Sequence, residues 1–137
     1  MLLNNSVLKE IKRFIQKNDL NDSIEITGYL DETKVEYFFS NSVMYIFPSN
    51  DEGFGIPIIE AMQFSIPIIC SDIEIFKEIA RDSVLYFKAS NHIDLYEKLN
   101  ILINDSVLRK KLIKLGKENV KRFNRINFLK EFEKIYN

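Results

Sequence analysis

Residues 48–62 constrain the fold of this chain more than any other stretch. An apolar segment, residues 43–47, precedes them, and Gly53, Gly55 and Pro57 lie within them. Glycine permits positive φ and lets the backbone approach a ligand closely, and proline is favoured at the first position of a helix. The stretch therefore predicts a strand, a tight loop and a helix N-terminus, an arrangement that binds a diphosphate through unpaired N–H groups and the helix dipole.

Two carboxylates, Glu52 and Glu60, lie on either side of these glycines. A diphosphate would repel both of them, so we expect them to face hydroxyl groups instead. A carboxylate has two acceptor oxygens and can accept hydrogen bonds from two neighbouring hydroxyls. A nucleotide sugar carries such diols on its sugar and on its ribose. The residues therefore predict a site for a nucleotide diphosphate sugar.

The composition is that of one soluble globular domain of 137 residues with a net charge of −1. A net charge near zero gives no bulk attraction to nucleic acid, and we expect no nucleic-acid partner. Cys70 and His92 are the only residues of their types, which excludes catalytic triads and zinc sites. No signal peptide or membrane-spanning apolar run is present, so we expect a cytoplasmic location.

Short apolar segments alternate with helical patterns along the chain. Predicted strands cover residues 23–27, 43–47, 67–70 and 84–87, and predicted helices cover residues 6–18, 31–41, 57–64, 73–80, 93–103, 106–122 and 126–136. Ser6 and Asp31 are expected N-caps. Nearly all-apolar strands that alternate with helices predict an α/β fold, with a parallel sheet covered by helices on both faces.

The segment from Glu52 to Glu60, with Gly-Phe-Gly-Ile-Pro inside it and Ala-Met after it, resembles the E-x7-E motif of retaining group 1 glycosyltransferases. Further stretches are similar to other segments of that family: residues 26–30, 48–49, 66–73 and 78–87. The resemblance covers most of residues 20–123. It implies the Rossmann-like C-terminal lobe of the two-lobe GT-B fold.

Three residues depart from the pattern of this family. The family usually has Gly, Pro and Gly where this chain has Ser65, Glu74 and Arg81. Ser65 is expected to end the helix of residues 57–64, at a place where a left-handed glycine is preferred. The three departures are compatible with folding, although they could loosen or reshape the donor pocket.

The resemblance implies a role for each carboxylate. Glu52 would be the catalytic carboxylate that orients the donor sugar and stabilises positive charge at its anomeric carbon, and Glu60 would bind the ribose diol. The alternatives are an exposed loop acid for Glu52 and a first-turn acid that complements the helix dipole for Glu60. A Mg²⁺ site is a further alternative, but the chain has no Asp-x-Asp pair and we expect no metal.

The resemblance also implies that the backbone of a four-residue loop meets the sugar and the diphosphate: Gly53, Phe54, Gly55 and Ile56. Tyr29 lies in a region that lines the base pocket in the family. Core filling by Phe54 and a plain surface position for Tyr29 are equally compatible with the sequence.

The implied donor substrate is a UDP- or GDP-sugar, without a cofactor, and the implied acceptor is a glycan or a lipid-linked molecule of polysaccharide biosynthesis. The chain opens with a helix that no strand precedes, although a βαβ crossover requires one. We therefore expect residues 1–137 to be a partial, incomplete C-terminal lobe. Its N-terminal lobe would be absent, and the missing portion would also contain the Arg and the Lys that, as the resemblance implies, provide positive charge for the leaving diphosphate.

Such a chain is expected to be inactive alone and to form a homodimer or dock on the missing N-terminal lobe. A truncated, non-catalytic nucleotide-binding or interaction module is the main alternative. A sugar-nucleotide epimerase or a phosphorylase on the same pair of lobes is a weaker one, because the Glu-loop-Glu spacing argues against it.

Lysines recur on one side of the predicted helix of residues 106–122, opposite its leucines: Lys110, Lys114, Lys117 and Lys121. The spacing predicts an amphipathic helix with a basic face. A solvated face is the simpler interpretation. Peripheral contact with anionic lipid at the inner face of the membrane is the alternative, to which the run Arg109-Lys110-Lys111 adds charge although no Trp is present.

Overall fold

A computed structural model describes residues 5–123 of the protein. The described residues form six α-helices: α1 (Asn5–Lys17), α2 (Glu32–Asn41), α3 (Ile56–Gln63), α4 (Glu74–Ala80), α5 (His92–Asn104) and α6 (Ser106–Val120). They also form three strands: β1 (Tyr45–Phe47), β2 (Ile68–Ser71) and β3 (Leu85–Phe87). Short 3₁₀ turns follow α4 and α6, at Arg81–Ser83 and Lys121–Phe123. The chain divides into two compact units between residues 34 and 35.

The first unit contains α1, whose Ile15 is buried. Residues 24–27 of this unit form no strand, although their alternating apolar side chains predicted one. A strand requires a hydrogen-bonded neighbour, and residues 5–34 contain no other strand. Ser6 lies inside α1, which already includes Asn5, so its predicted N-cap position is wrong. The Asp31 carboxylate does cap α2 by accepting a hydrogen bond of 2.9 Å from the Lys34 N–H.

The second unit is built on a parallel sheet in the order β1-β2-β3. Tyr45 pairs with Ile68, and Ile69 pairs with Leu85. All four residues of β2 are buried, because β2 has a strand on either side and its side chains pack alternately into two layers. β1 and β3 are shorter than the sequence predicted and lie inside the predicted ranges 43–47 and 84–87, whereas β2 has the predicted length and begins and ends one residue later than the predicted range 67–70.

Helices cover both faces of this sheet, which confirms the predicted α/β architecture. One layer is formed with α3 and α4 and contains Ile58, Ala61, Met62, Ile68, Cys70, Phe76, Ala80 and Val84. The other is formed with α5 and α6 and contains Ile69, Phe87, Leu102 and Leu112. The predicted helix of residues 126–136 lies outside the described residues.

Two of the departures from the family pattern fall where the backbone itself favours glycine. Ser65 has a φ of 61° and ends α3 in a Schellman motif, in which the Ser65 N–H bonds to the Met62 carbonyl and the Ile66 N–H to the Ala61 carbonyl. Arg81 follows α4 with a φ of 50° and a ψ of −131°. A side chain with a Cβ is strained in both conformations.

Glycine at these two positions should therefore stabilise the protein. We expect Ser65→Gly and Arg81→Gly each to raise the free energy of unfolding by about 1 kcal/mol. The control is Ser40→Gly, at an exposed position inside α2. Glycine there should lower the free energy of unfolding by roughly 0.5–1 kcal/mol. Urea denaturation followed by circular dichroism measures all three, and a loss of stability in Ser65→Gly would contradict the assignment of strain.

Buried groups should also make the protein labile at alkaline pH. Burial raises the pKa of the Cys70 thiol to about 12 and also raises the pKa of the Tyr86 phenol. A group whose pKa is higher in the folded than in the unfolded protein contributes stability at pH values below its unfolded pKa. This contribution is lost as the pH rises toward the folded pKa. Stability should therefore decline above about pH 8.5, where thiols of unfolded chains ionise. In Cys70→Ala, thermal melts between pH 8 and 10 should show a smaller decline.

Candidate functional site

The loops that follow β1 and β2 meet at the carboxyl edge of the sheet. The Ser71 hydroxyl donates a hydrogen bond to the carbonyl of Ser49. The Ser49 hydroxyl in turn lies 3.0 Å from the Glu52 carboxylate oxygen Oε1 and 3.0 Å from the Asp51 carbonyl. The end of β2 therefore fixes the backbone from which Glu52 projects, and Ser49 orients its carboxylate.

The loop that follows β3 joins the same edge. The Ala89 N–H donates to Asp72 Oδ1 at 2.8 Å, and the Ser90 hydroxyl donates to Asn50 Oδ1 at 3.0 Å. Since Asp72 follows β2 and Asn50 follows β1, these contacts connect all three loops. The loop of residues 48–56 is thus held from two sides rather than left free in solvent.

The turn from this loop into α3 depends on Gly55. Its φ of 80° and ψ of 39° are left-handed, and a Cβ at this position would lie 3.0 Å from Cε1 of Phe76. Gly53 has neither restriction, since its φ is not positive and a Cβ there would meet nothing within 4 Å. Of the two glycines, which both permit positive φ, only Gly55 adopts it.

The N-terminus of α3 has no side-chain cap. Pro57 lies at the start of the helix, as the sequence predicted, although the helix begins one residue earlier, at Ile56. The Ile58 N–H bonds back to the Gly55 carbonyl at 3.0 Å. Among residues 5–123, no carboxylate or hydroxyl binds the backbone dipoles of this first turn, an arrangement that suits an anionic ligand.

Glu60 lies one turn into α3 on its exposed side, since its neighbours Ile58, Ile59, Ala61 and Met62 are buried. It shares a face with Ile56, four residues earlier. A helical side chain points back toward the helix N-terminus. This direction brings the Glu60 carboxylate toward the loop that carries Glu52.

Tyr45 of β1 is a residue of this region that sequence reasoning missed. Burial raises the pKa of its phenol to about 12, and the negative charges of Glu60 and then of Glu52 add to the effect. Both carboxylates therefore act on the same side chain. No sequence signal marked Tyr45, because in the sequence it is one more apolar residue of a short strand.

Phe54 is half exposed, which rules out the alternative that it fills the core. Its ring meets the ring of Phe123 edge-on, with centroids 6.2 Å apart, and the Arg122 guanidinium lies 5.1 Å from the centre of the Phe123 ring. The end of α6 thus brings an aromatic ring and a cation to the glycine loop. No sequence pattern connects these two positions, which lie 69 residues apart.

Tyr29 belongs to the first unit, where its side chain is 94% exposed. An open groove of about 560 Å³ in that unit is lined by residues 21–26 and contains none of the predicted site residues. Within residues 5–123, no group of three or more histidine, cysteine, aspartate or glutamate side chains could hold a metal ion. No helix of these residues is long and apolar enough to cross a membrane.

Comparison with known proteins connects this geometry to a family. The sequence model described as "Glycosyl transferases group 1" matches residues 4–119. An uncharacterized glycosyltransferase of Methanocaldococcus jannaschii is 35% identical over 130 residues, which are 93% of this chain and 37% of the relative. The O-antigen chain mannosyltransferase RfbU of Salmonella typhimurium is 33% identical over 76 residues, which are 56% of this chain and 22% of the relative.

The solved C-terminal domain of a group 1 family glycosyl transferase, LpcC of Francisella tularensis, has the same fold. It superposes with a TM-score of 0.76 at 25% identity, over 85% of this chain and 62% of that domain. The fold is that of one lobe of the GT-B glycosyltransferases. The chain spans little more than a third of the length of the first of its curated relatives.

The two glycines of the loop provide a matched pair of variants. Gly55→Ala should lower the free energy of unfolding by roughly 1–3 kcal/mol, because it adds left-handed strain and a contact with the Phe76 ring. Gly53→Ala should change it by less than about 0.5 kcal/mol. Urea denaturation compares the two, and equal effects would contradict the geometry of this turn.

Proposed function

The chain belongs to the group 1 glycosyl transferases, and from this premise we propose that residues 48–62 bind the donor of a retaining hexosyltransferase. The donor is a UDP- or GDP-sugar, and the acceptor is a glycan or a lipid-linked glycan precursor. The relative from Salmonella typhimurium is an O-antigen chain mannosyltransferase, which supports a hexosyl group and a polysaccharide product.

The juxtaposition at the carboxyl edge of the sheet carries this proposal. An uncapped helix N-terminus, a glycine turn and two carboxylates lie within nine residues, from Glu52 to Glu60. The N–H groups of the Gly53–Ile56 loop and of the first turn of α3 suit the diphosphate. The carboxylates suit the two diols of the donor, Glu52 at the sugar and Glu60 at the ribose.

Glu52 would act by orienting the donor and stabilising positive charge at its anomeric carbon. The hydrogen bond from Ser49 restricts its side chain, so less freedom would be lost when the sugar binds. Glu60 would serve binding, since it lies a helical turn from the loop that would hold the sugar. Phe54, half exposed and braced by Phe123, would cover one side of the donor.

We place the acceptor site on a second lobe, because the solved domain of LpcC that this chain matches is a C-terminal domain. Tyr29 remains our candidate for the base pocket. Cytoplasmic action is likewise part of the proposal, since donors of this class are made in the cytoplasm.

One observation favours a second function, a nucleotide-binding module without transfer activity. Residues 48–62 contain no lysine or arginine, so no cation of the loop itself neutralises a departing diphosphate. Arg122 is a candidate, because it lies over the Phe123 ring that meets Phe54, but its guanidinium already donates a hydrogen bond of 2.8 Å to Asn119. A chain that binds the nucleotide sugar without transferring sugar would fit this alternative.

Calorimetric titration of the 137-residue chain with UDP, GDP and their sugar conjugates tests the donor site. We expect saturable binding of one base class, weakened at least roughly 10- to 100-fold in Glu60→Ala, because a single hydrogen bond to a charged group contributes about 1.5–3 kcal/mol. The matched control is Glu36→Ala, an exposed acid of α2, which should bind like the unchanged protein.

Absence of binding by the folded chain, or equal loss in both variants, would contradict the donor site. If Glu52→Gln leaves the binding of free UDP or GDP unchanged but weakens the binding of the sugar conjugate, this result would support the separate roles of the two carboxylates. Equal weakening of both ligands would place Glu52 at the nucleotide instead.

A further inference from the structure

We infer that the outer face of α6 binds the surface of an anionic lipid bilayer. This lysine face consists of Lys110, Lys111, Lys114 and Lys117, all exposed. The opposite side of α6 is buried at Leu112, Gly116 and Asn119. The Asn119 amide also donates a hydrogen bond of 2.7 Å to the Ile79 carbonyl, so the rotation of α6 is fixed and the lysines face outward.

The acidic groups on and beside α6 are already engaged. The Asp105 carboxylate caps the helix by accepting a hydrogen bond of 2.8 Å from the Leu108 N–H, and Glu118 forms an ion pair of 2.7 Å with Lys121. Within residues 5–123, no salt bridge involves the four lysines of the lysine face. Among these four, Lys114 acts on an acid of α6, since its charge contributes, after Lys121, to the lowered pKa of the Glu118 carboxyl. The face is therefore a local excess of positive charge on a chain whose net charge is −1.

Arg109 precedes Lys110 and Lys111 in the sequence and was expected to add its charge to theirs, but it does not belong to the lysine face. Its guanidinium donates hydrogen bonds of 2.6 and 2.5 Å to the carbonyls of Leu102 and Ile103. It thus satisfies carbonyls in the last turn of α5. Lys111, by contrast, points outward with the other lysines.

Exposed apolar side chains border the lysine face and favour lipid over other anions. Val107 is 76% exposed and precedes Lys110, Lys111 and Lys114 by three, four and seven residues, which places it on their face of α6. Ile103, in the turn before, is 56% exposed. Nucleic-acid phosphates would gain nothing from these side chains, whereas a bilayer accommodates both apolar groups and lysines at its interface.

Tyr96 is a further exposed side chain, on the helix α5 that precedes α6. It is 66% exposed and lies seven residues before Ile103, so both share one side of the helix. Tyrosine is enriched where a membrane meets water, which supplies an aromatic anchor in place of the absent Trp. The neighbouring Glu97 is the acidic group that opposes this contact. The inference depends on α5 and α6 alone and does not require donor binding.

Co-sedimentation of the full chain with lipid vesicles tests this inference. We expect binding to vesicles of phosphatidylcholine mixed with phosphatidylglycerol and none to phosphatidylcholine alone. K110Q/K111Q/K114Q should weaken binding on the order of 100-fold, because each lysine near an anionic surface contributes about 1 kcal/mol. The charge-matched control K9Q/K12Q/K17Q changes three exposed lysines of α1 and should bind within about threefold of the unchanged chain.

The apolar border is tested with V107S, which retains every charge. It should weaken vesicle binding roughly threefold to tenfold, with no effect on binding of a single-stranded RNA of matched charge. Equal binding of both vesicle types, or equal loss in both triple variants, would overturn the inference. The inference would also be overturned if V107S bound vesicles like the unchanged chain and RNA bound as tightly as vesicles, because the face would then attract any polyanion.

Discussion

The close approach of the Gly55 backbone to the Phe76 ring is the constraint on which the rest of the site depends. Phe76 is fully buried in the layer between the sheet and α4, so it cannot move aside to admit a side chain at position 55. The left-handed turn at Gly55 lets the chain reverse from β1 into α3 within this space. The positions of Glu52 and Glu60 follow from that reversal, because one precedes the turn and the other lies a helical turn after it.

Hydrogen bonds between loops then hold the site from the sheet side. Ser71 of the central strand bonds to Ser49, and Ser90 after β3 bonds to Asn50. Such contacts restrict the loop before any ligand arrives, and pre-organisation of this kind lowers the entropy lost on binding. The same packed core that stabilises the unit therefore also prepares its carboxyl edge for a ligand, which links stability to the proposed donor binding.

How much the sequence could predict depends on whether a feature is local. The alternation of strands and helices from residue 43 onward was predictable, because β2 is apolar up to Ser71 and Gly55 and Pro57 mark the start of α3. The strand expected at residues 23–27 was wrong, because an alternating apolar pattern such as Ile24 and Ile26 describes side-chain faces and cannot supply a neighbouring strand.

Contacts between residues that are distant in the chain could not be predicted from the sequence. Tyr45 is marked only by its nearness to two carboxylates, and Phe123 only by the ring of Phe54. Arg109 looked like part of a basic run in the sequence, whereas in the structure its guanidinium donates a hydrogen bond to a carbonyl of α5. The strain at Ser65, by contrast, could be anticipated from the end of α3, because the left-handed end of a helix has a local signature.

The most direct test of the proposed donor site is a crystal structure of this chain in complex with the UDP or GDP compound that it binds most tightly. We expect the diphosphate within hydrogen-bond distance of N–H groups of the Gly53–Ile56 loop and the ribose hydroxyls on the Glu60 carboxylate. A nucleotide bound in the groove of residues 21–26, with the glycine loop free of ligand, would contradict it.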